Sequence, residues 1–232
     1  MVALFRVKSI LAAILVVLPL AARAEEPTPS ALDLLKSVRI AQSGQDWQFT
    51  GRLRVSSKKY PFRLTMDKGA IRYEFTETGD IITLRLGEKS STLEETKGGK
   101  TGRVSAAKFD SAVSGTDISY EDLALRFLYW HDASVIGTGI ISAHNCWKVE
   151  VRPPGRGDSQ YARVVLWIGK DDGALMKAES YDAAGKWARR FTVTSVMKRD
   201  GYWLLKQMRI ESASGRTSDP VPTYLEIEDA ER

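Results

Sequence analysis

The chain has 232 residues, with 34 Lys and Arg against 29 Asp and Glu and a formal net charge of +5. That length is enough for one domain with a sizeable core. The positive charges are dispersed, with Lys58-Lys59 and Arg189-Arg190 the densest clusters, and this excludes the concentrated basic stripe of a nucleic-acid-binding surface.

The first residues read as a secretory signal. Arg6 and Lys8 precede an apolar run from Ile10 to Leu20, and Ala22-Arg23-Ala24 supplies a small-x-small cleavage site. The run is short for a stable membrane span, although an uncleaved anchor is the alternative. The pattern predicts export to the periplasm with cleavage after Ala24, and a single domain over residues 25–232. No Cys follows the run, so the pattern is not that of an acylated lipoprotein. Residues 1–24 hold Arg6, Lys8 and Arg23 and no acid, which leaves the remainder near +2.

A short polar leader (Glu25 to Ser30) then meets SALDLLKSVRIA. Ser30 caps a predicted helix with Asp33 three residues on, and Ala31, Leu34, Leu35 and Val38 form one apolar stripe. Gly44 is its expected end. From Trp47 the period changes to two. Trp47, Phe49, Gly51, Leu53 and Val55 alternate with polar residues, and so do Phe62, Leu64 and Met66, then Ile71, Tyr73 and Phe75, then Ile82, Leu84 and Leu86. Short turn-rich stretches separate these runs, as in an antiparallel meander with one apolar face. Residues 95–118 break the pattern. ETKGGKTGR reads as a mobile loop and AAKFDSAV as a helical turn.

GTDISYEDLALRFLYW (Gly115–Trp130) predicts a helix that is apolar nearly all round. Ser119 is its N-cap and Asp122 completes a capping box, while Ile118 and Leu123 stand at staple positions. Glu121 and Asp122 lie in the first turn, favourable to the helix dipole. Such a helix is buried on more than one side. It is either an ordinary core helix or the cover of a cavity. Alternating strands return at Ser134–Ile141, Cys146–Arg152, Tyr161–Ile168, Ala174–Tyr181, Trp187–Met197, Tyr202–Ser212 and Val221–Glu228. Asp171-Asp172-Gly173, Ala184-Gly185 and Asp200-Gly201 between them are hairpin signals. The fold class expected is mainly β (α+β). One strongly curved antiparallel sheet of about ten or eleven strands forms a half-barrel, with helices covering its concave face.

Catalytic motifs are weak. His131 and His144 are the only histidines, and no H-x-x-x-H or C-x-x-C spacing exists to hold zinc. No serine stands in G-x-S-x-G. Gly98 to Gly102 lacks the first glycine of a phosphate loop. His131-Asp132 suits a helix C-terminus. Cys146 is the only cysteine, so no internal disulfide is possible, and it reads as a buried apolar residue with a nucleophile or redox thiol as the alternatives. Trp47, Trp167 and Trp187 fall in strands, as core filling or cavity lining. No cofactor, no metal and no enzymatic activity is expected.

TDISYEDLALRFL (Thr116–Leu128) resembles the "DFSYEDL" segment of the outer-membrane lipoprotein-sorting protein family, a LolA-like group related to periplasmic lipoprotein carriers. Cys146 with its strand, Pro153-Pro154, and YARVVLWIGKDDGALMKAESYDAAGK (Tyr161–Lys186) extend the resemblance over residues from about 30 to 228. Ile118, where an aromatic is common, and Gly169, where Asp is common, are mild departures. The resemblance implies a half-open barrel plugged by helices, with acyl chains entering between sheet and helices and no catalytic chemistry. On that reading Phe49, Leu53, Val55, Phe62, Leu64, Tyr73, Phe75, Leu84 and Leu86 would line the cavity, with Leu123, Phe127 and Trp130 as its cover. Arg52 and Arg54 are candidates to hold carbonyls of the cover. A chain of about sixteen carbons would gain roughly 10 kcal/mol on burial before entropy costs. The partners implied are acyl chains of lipoproteins or another lipid, an inner-membrane transporter or outer-membrane acceptor, and transient membrane contact, for a monomer that binds no nucleic acid. The alternative is a sensory or assembly module that binds a protein partner on the same scaffold. A filled interior would favour it.

Overall fold

The computed structural model describes residues 27–43, 46–113, 116, 118–155, 157–213 and 221–232. The export segment, its cleavage site, Gly44 and Asp117 lie outside the described residues. Helix α1 spans Ala31–Ser43. Its apolar stripe buries Ala31, Leu35 and Val38, while Leu32 and Ile40 face solvent.

Six strands follow as consecutive hairpins. They are β1 (Trp47–Val55), β2 (Lys58–Asp67), β3 (Ala70–Phe75), β4 (Ile81–Leu86), β5 (Ser91–Lys97) and β6 (Lys100–Arg103). After the helical insert come β7 (Asp132–Ile141), β8 (His144–Arg152), β9 (Arg163–Gly169), β10 (Leu175–Tyr181), β11 (Trp187–Arg199), β12 (Tyr202–Ser212) and β13 (Thr223–Glu231). All thirteen form one sheet in the order β6-β5-β4-β3-β2-β1-β13-β12-β11-β10-β9-β8-β7. Each neighbouring pair runs antiparallel. The edge strands β6 and β7 do not meet, so the sheet is an open, curved half-barrel.

The topology is two meanders welded at one seam. β1 to β6 walk outward from the centre, and β7 to β13 walk back until β13 pairs with β1, placing Leu53 opposite Leu225. Register shifts interrupt β1–β13, β7–β8, β9–β10, β10–β11 and β11–β12. Bulges of this kind bend the bulged strand and add twist, which is what a sheet this wide needs in order to curl.

Two expectations need correction. The strand count is thirteen, because Ser91–Arg103 is a hairpin and not a mobile loop. Gly98 and Gly99 turn it with positive φ of 56° and 78°. Only Leu93 is buried in STLEETK, so an edge hairpin held by backbone pairing shows no alternation to read. The helix expected across Ser119–Trp130 is broken. It is one α-helical turn, α2 (Tyr120–Ala124), then Leu125 in the left-handed region at φ 49°, then a 3-10 turn over Arg126–Tyr129. A straight helix presents one stripe, whereas this segment serves two apolar surfaces.

Gly51 sits in the seam. A Cβ built there would lie 2.4 Å from the Glu226 carbonyl oxygen and 3.1 Å from the Phe62 ring. Backbone on one side and a buried ring on the other leave no room to yield. Gly51→Ala is therefore expected to cost about 1–3 kcal/mol of stability, read as a lower urea midpoint. The same substitution at Gly102, where a Cβ meets nothing within 4 Å, leaves the midpoint nearly unchanged.

Candidate functional site

The concave face carries two adjoining apolar clusters. The first joins Trp47, Phe49, Leu53, Phe62, Leu64 and Phe75 to Ile82, Leu84 and Leu93, and it continues over the seam through Leu225 and Ile227. Register puts these on one face, since Phe49 opposes Leu64, Leu64 opposes Tyr73, and Tyr73 opposes Ile82. The second cluster joins Val149, Val151, Val164, Leu166 and Ala178 to Leu35 and Val38 of α1.

The segment Ile118–Trp130 closes both. Ile118, Tyr120 and Ala124 are buried in the first cluster, and Phe127, Leu128 and Trp130 in the second. Leu125 touches both. Its left-handed backbone, roughly 1–2 kcal/mol uphill for a side-chain-bearing residue, lets one short segment turn from one surface to the other.

A buried polar knot fixes this segment. Ser119 and Asp122 form the expected capping box, with the Ser119 amide donating to Asp122 Oδ2 at 2.9 Å and the Ser119 hydroxyl at 2.7 Å. Arg189 of β11 donates to the same oxygen, and the Tyr161 hydroxyl donates to Oδ1 at 2.7 Å. Burial, then the Asp122 charge, push the Tyr161 phenol well above its ordinary range. Gln160 adds a bond from its side-chain amide to Ser119 Oγ at 3.0 Å. Further out, Ser91 Oγ donates to the Ala124 carbonyl at 2.6 Å, the Tyr129 hydroxyl to the Gly87 carbonyl at 3.0 Å, and Arg39 of α1 to the Leu128 carbonyl.

Residues 96–230, more than half of the chain, match the model of a family described as "uncharacterized protein". The chain belongs to that family. No curated protein matches it. Solved structures share its fold. An outer-membrane lipoprotein-sorting domain assignment from Vibrio parahaemolyticus superposes with a TM-score of 0.69 at 17% identity, covering 87% of this chain and 91% of that one. A LolA superfamily protein from Nitrosomonas europaea gives 0.60 at 17% identity, covering 88% and 94%. A DUF1329 family protein from Desulfovibrio piger gives 0.60 at 19% identity, covering 86% and 90%. The family member described here thus has the LolA-like fold.

Its expected lining residues fall in distinct places. Phe49, Leu53, Phe62, Leu64, Phe75 and Leu84 are buried in the first cluster, with Tyr73, Leu86 and Leu123 half-buried against it. Phe127 and Trp130 lie in the second cluster, over the other half of the sheet. Val55, near the end of the seam, is half-buried and belongs to neither. Arg52 and Arg54 do not reach the cover. They alternate with Leu53 and so lie on the opposite face, where Arg52 Nε and Arg54 Nη2 each stand 2.8 Å from the Glu226 carboxylate. Arg39, Ser91, Tyr161 and Arg189 take the holding role instead; Tyr161 opens the resembling run Tyr161–Lys186, and no sequence motif marks the other three. Cys146 is fully buried, donates to the His144 carbonyl, and has its thiol pushed up by burial, as for an apolar residue that happens to be cysteine. Trp167 lies on the face opposite Leu166, with Lys177 Nζ 4.3 Å from its ring centroid.

The cover occupies the space over both clusters, with Tyr120, Ala124, Phe127 and Leu128 each at most 4% exposed. One cavity among the described residues, about 130 Å³, lies between Met176, Val193, Val196, Trp203 and Leu205. The other, about 320 Å³, is polar and lies at the β5–β6 hairpin.

Glu121 is the uneasy member of the cover. It is 2% exposed, its Oε2 accepts from the Gln160 amide at 3.2 Å, and its Oε1 makes no hydrogen bond of normal geometry. Burial raises its pKa above the ordinary 4.5, against the lowering influence of Ser159 and Gln160. A raised folded pKa means the folded state holds the proton more tightly. Glu121 therefore contributes stability below 4.5 that is lost as pH climbs through the folded value. Glu121→Gln is expected to raise the melting temperature at pH 7 and to have little effect near pH 4, as measured by calorimetry across that range. Asp122 behaves oppositely to substitution. Asp122→Ala removes the buried carboxylate that pairs with the Arg189 guanidinium, whose side chain is 12% exposed, and is expected to cost about 3–5 kcal/mol. The Asp122→Leu/Arg189→Met pair should recover part of that loss in chemical denaturation.

Proposed function

We propose that the protein is a non-enzymatic periplasmic carrier that holds acyl chains of a lipoprotein, or another lipid, between the concave face and the segment Ile118–Trp130. The observation that carries this reading is the pairing of a continuous apolar concave face with a short cover tethered by polar contacts. The fold shared with lipoprotein-sorting and LolA superfamily proteins supports it. So does the export pattern of the first 24 residues. A monomer handing cargo from an inner-membrane donor to an outer-membrane acceptor fits the same reading, with residues 25–232 as one carrier domain.

Because the interior is filled, the resting molecule is the closed state. Loading requires the cover to leave, and the ligand then replaces the contacts that Tyr120, Ala124, Phe127 and Leu128 make. The net affinity is the acyl burial minus this closed-state packing, which is what a carrier that must also release needs. A second reading, an assembly or sensory module that binds a protein partner, is favoured by the same filled interior.

The deciding experiment is native mass spectrometry of protein purified from periplasm without detergent, followed by solvent extraction. The carrier reading expects co-purifying acylated species that are absent from Leu123→Glu and Phe127→Glu variants of native-like circular dichroism. Protein that is lipid-free and takes up no fluorescent fatty-acid probe overturns the carrier reading and leaves the partner-binding module.

A further inference from the structure

The larger of these two cavities is lined mainly by charged and polar residues. It opens between the β5–β6 hairpin and the 3-10 turn at Ala106–Lys108, and Lys97, Lys100, Arg103 and Lys108 line it with the single carboxylate of Glu95. Register fixes the face. Glu95 opposes Ile82 on one side and Gly102 on the other, so it shares the concave side with the first apolar cluster. The hollow exists because Gly102 has no side chain there, and a Cβ at that position meets nothing within 4 Å.

The charges around it do not cancel. Glu95 is already committed, with Oε2 accepting from Lys108 and Oε1 from the Tyr120 hydroxyl. Burial alone would push its carboxyl up, and the hydrogen bonds from Lys108 and Tyr120 together outweigh that and hold it below 4.5. Lys97 is 71% exposed and reaches Asp80 only at 3.7 Å. Lys100 has no ion-pair partner among the described residues, and Arg103, which opposes Glu94, reaches the hollow only along its rim. Beside these cations the wall turns apolar at once, since Val104 lines the hollow and is buried in the first cluster together with Tyr120.

We propose that this hollow binds an anionic oxygen group, a phosphate or carboxylate, and that on the carrier reading the group is the headgroup of the lipid whose chains lie under the cover. The juxtaposition suits an amphiphile. Its oxyanion meets Lys97, Lys100 and Lys108, and its tail leaves past Val104 toward Leu93 and Tyr120. A cationic headgroup is repelled, and an uncharged one gives up the charge-assisted hydrogen bonds. The site also touches the cover directly. Lys108 is shared between the arriving anion and Glu95, and Glu95 is what ties Tyr120, the first residue of α2, to the sheet.

Calorimetric titration of the full mature chain tests this with three probes: dihexanoyl-phosphatidylglycerol, uncharged dihexanoylglycerol and inorganic phosphate. The anionic lipid is expected to bind about tenfold tighter than the uncharged one, the scale of two partly exposed charge contacts. Lys97→Gln/Lys100→Gln should abolish that difference, and Gly102→Leu, which fills the hollow at a permissive position, should do the same with an unchanged melting temperature. Equal binding of the two lipids overturns the anion site and leaves the carrier standing. If neither lipid binds but inorganic phosphate does, and the double variant loses it, the site serves a free anion and the carrier reading falls. If no probe binds, the anion site is overturned as well.

Discussion

The buried Asp122–Arg189 pair is the contact on which the covered state depends. A thirteen-strand sheet presents more apolar concave surface than α1 can shield, and the remaining cover is one α-helical turn and one 3-10 turn. Segments that short have no independent helical stability, since nucleation alone costs more than a single turn returns. Their geometry is imposed from outside. Asp122 does this by collecting four donors from three places in the chain: Ser119 twice, Tyr161 and Arg189.

A polar fastening is a different device from an apolar one. Burying two charges costs several kcal/mol in desolvation, which their attraction only roughly offsets, so the pair adds little net stability but is very sensitive to position. A cover held by packing alone could slide along the sheet in many near-equal registers. One held by a satisfied carboxylate has a single closed position. When it opens, water can solvate the released Asp122 and Arg189, whereas the exposed apolar wall has nothing to meet unless a ligand is present. The fastening therefore sets where the cover sits, and on the carrier reading the apolar clusters set how much an acyl chain gains by displacing it, about 0.8 kcal/mol for each buried CH₂.

The legible and illegible parts of this structure separate by range of interaction. The strands from Trp47 to Leu86 and from Asp132 to Glu231 were visible because inward and outward positions alternate, as at Trp47, Phe49 and Leu53. The capping box was visible because Ser119 and Asp122 are three residues apart. The Ser91–Arg103 hairpin was not, since an edge strand satisfies its backbone by pairing and need not bury side chains. The break at Leu125 was hidden too, because a leucine at φ 49° is held there by two clusters drawn from distant strands and not by its own preference. Arg39 and Arg189 lie 89 and 67 residues from the groups they hold, and nothing local distinguishes them from Arg52 and Arg54, which face the other way.

The break at Leu125 has mechanical meaning. It divides the cover into two units with separate attachments. Tyr120–Ala124 is tied to β5 through Glu95 and Ser91 and to β11 through the Asp122–Arg189 pair, and Phe127–Trp130 is tied to α1 through Arg39 and to Gly87 through Tyr129. A continuous helix would have to lift as one rod, losing both sets of contacts together. On the carrier reading, a segment jointed at a single residue releases the first unit, once the Asp122–Arg189 pair parts, while the second stays packed on α1 and β8–β9. That exposes the cluster around Phe62 and Leu84 and not the one around Leu166, and the exposed cluster is the one whose rim carries Lys97, Lys100 and Lys108. The charged hollow, the Asp122–Arg189 fastening and the cluster around Phe62 and Leu84 thus lie on the same side of the joint.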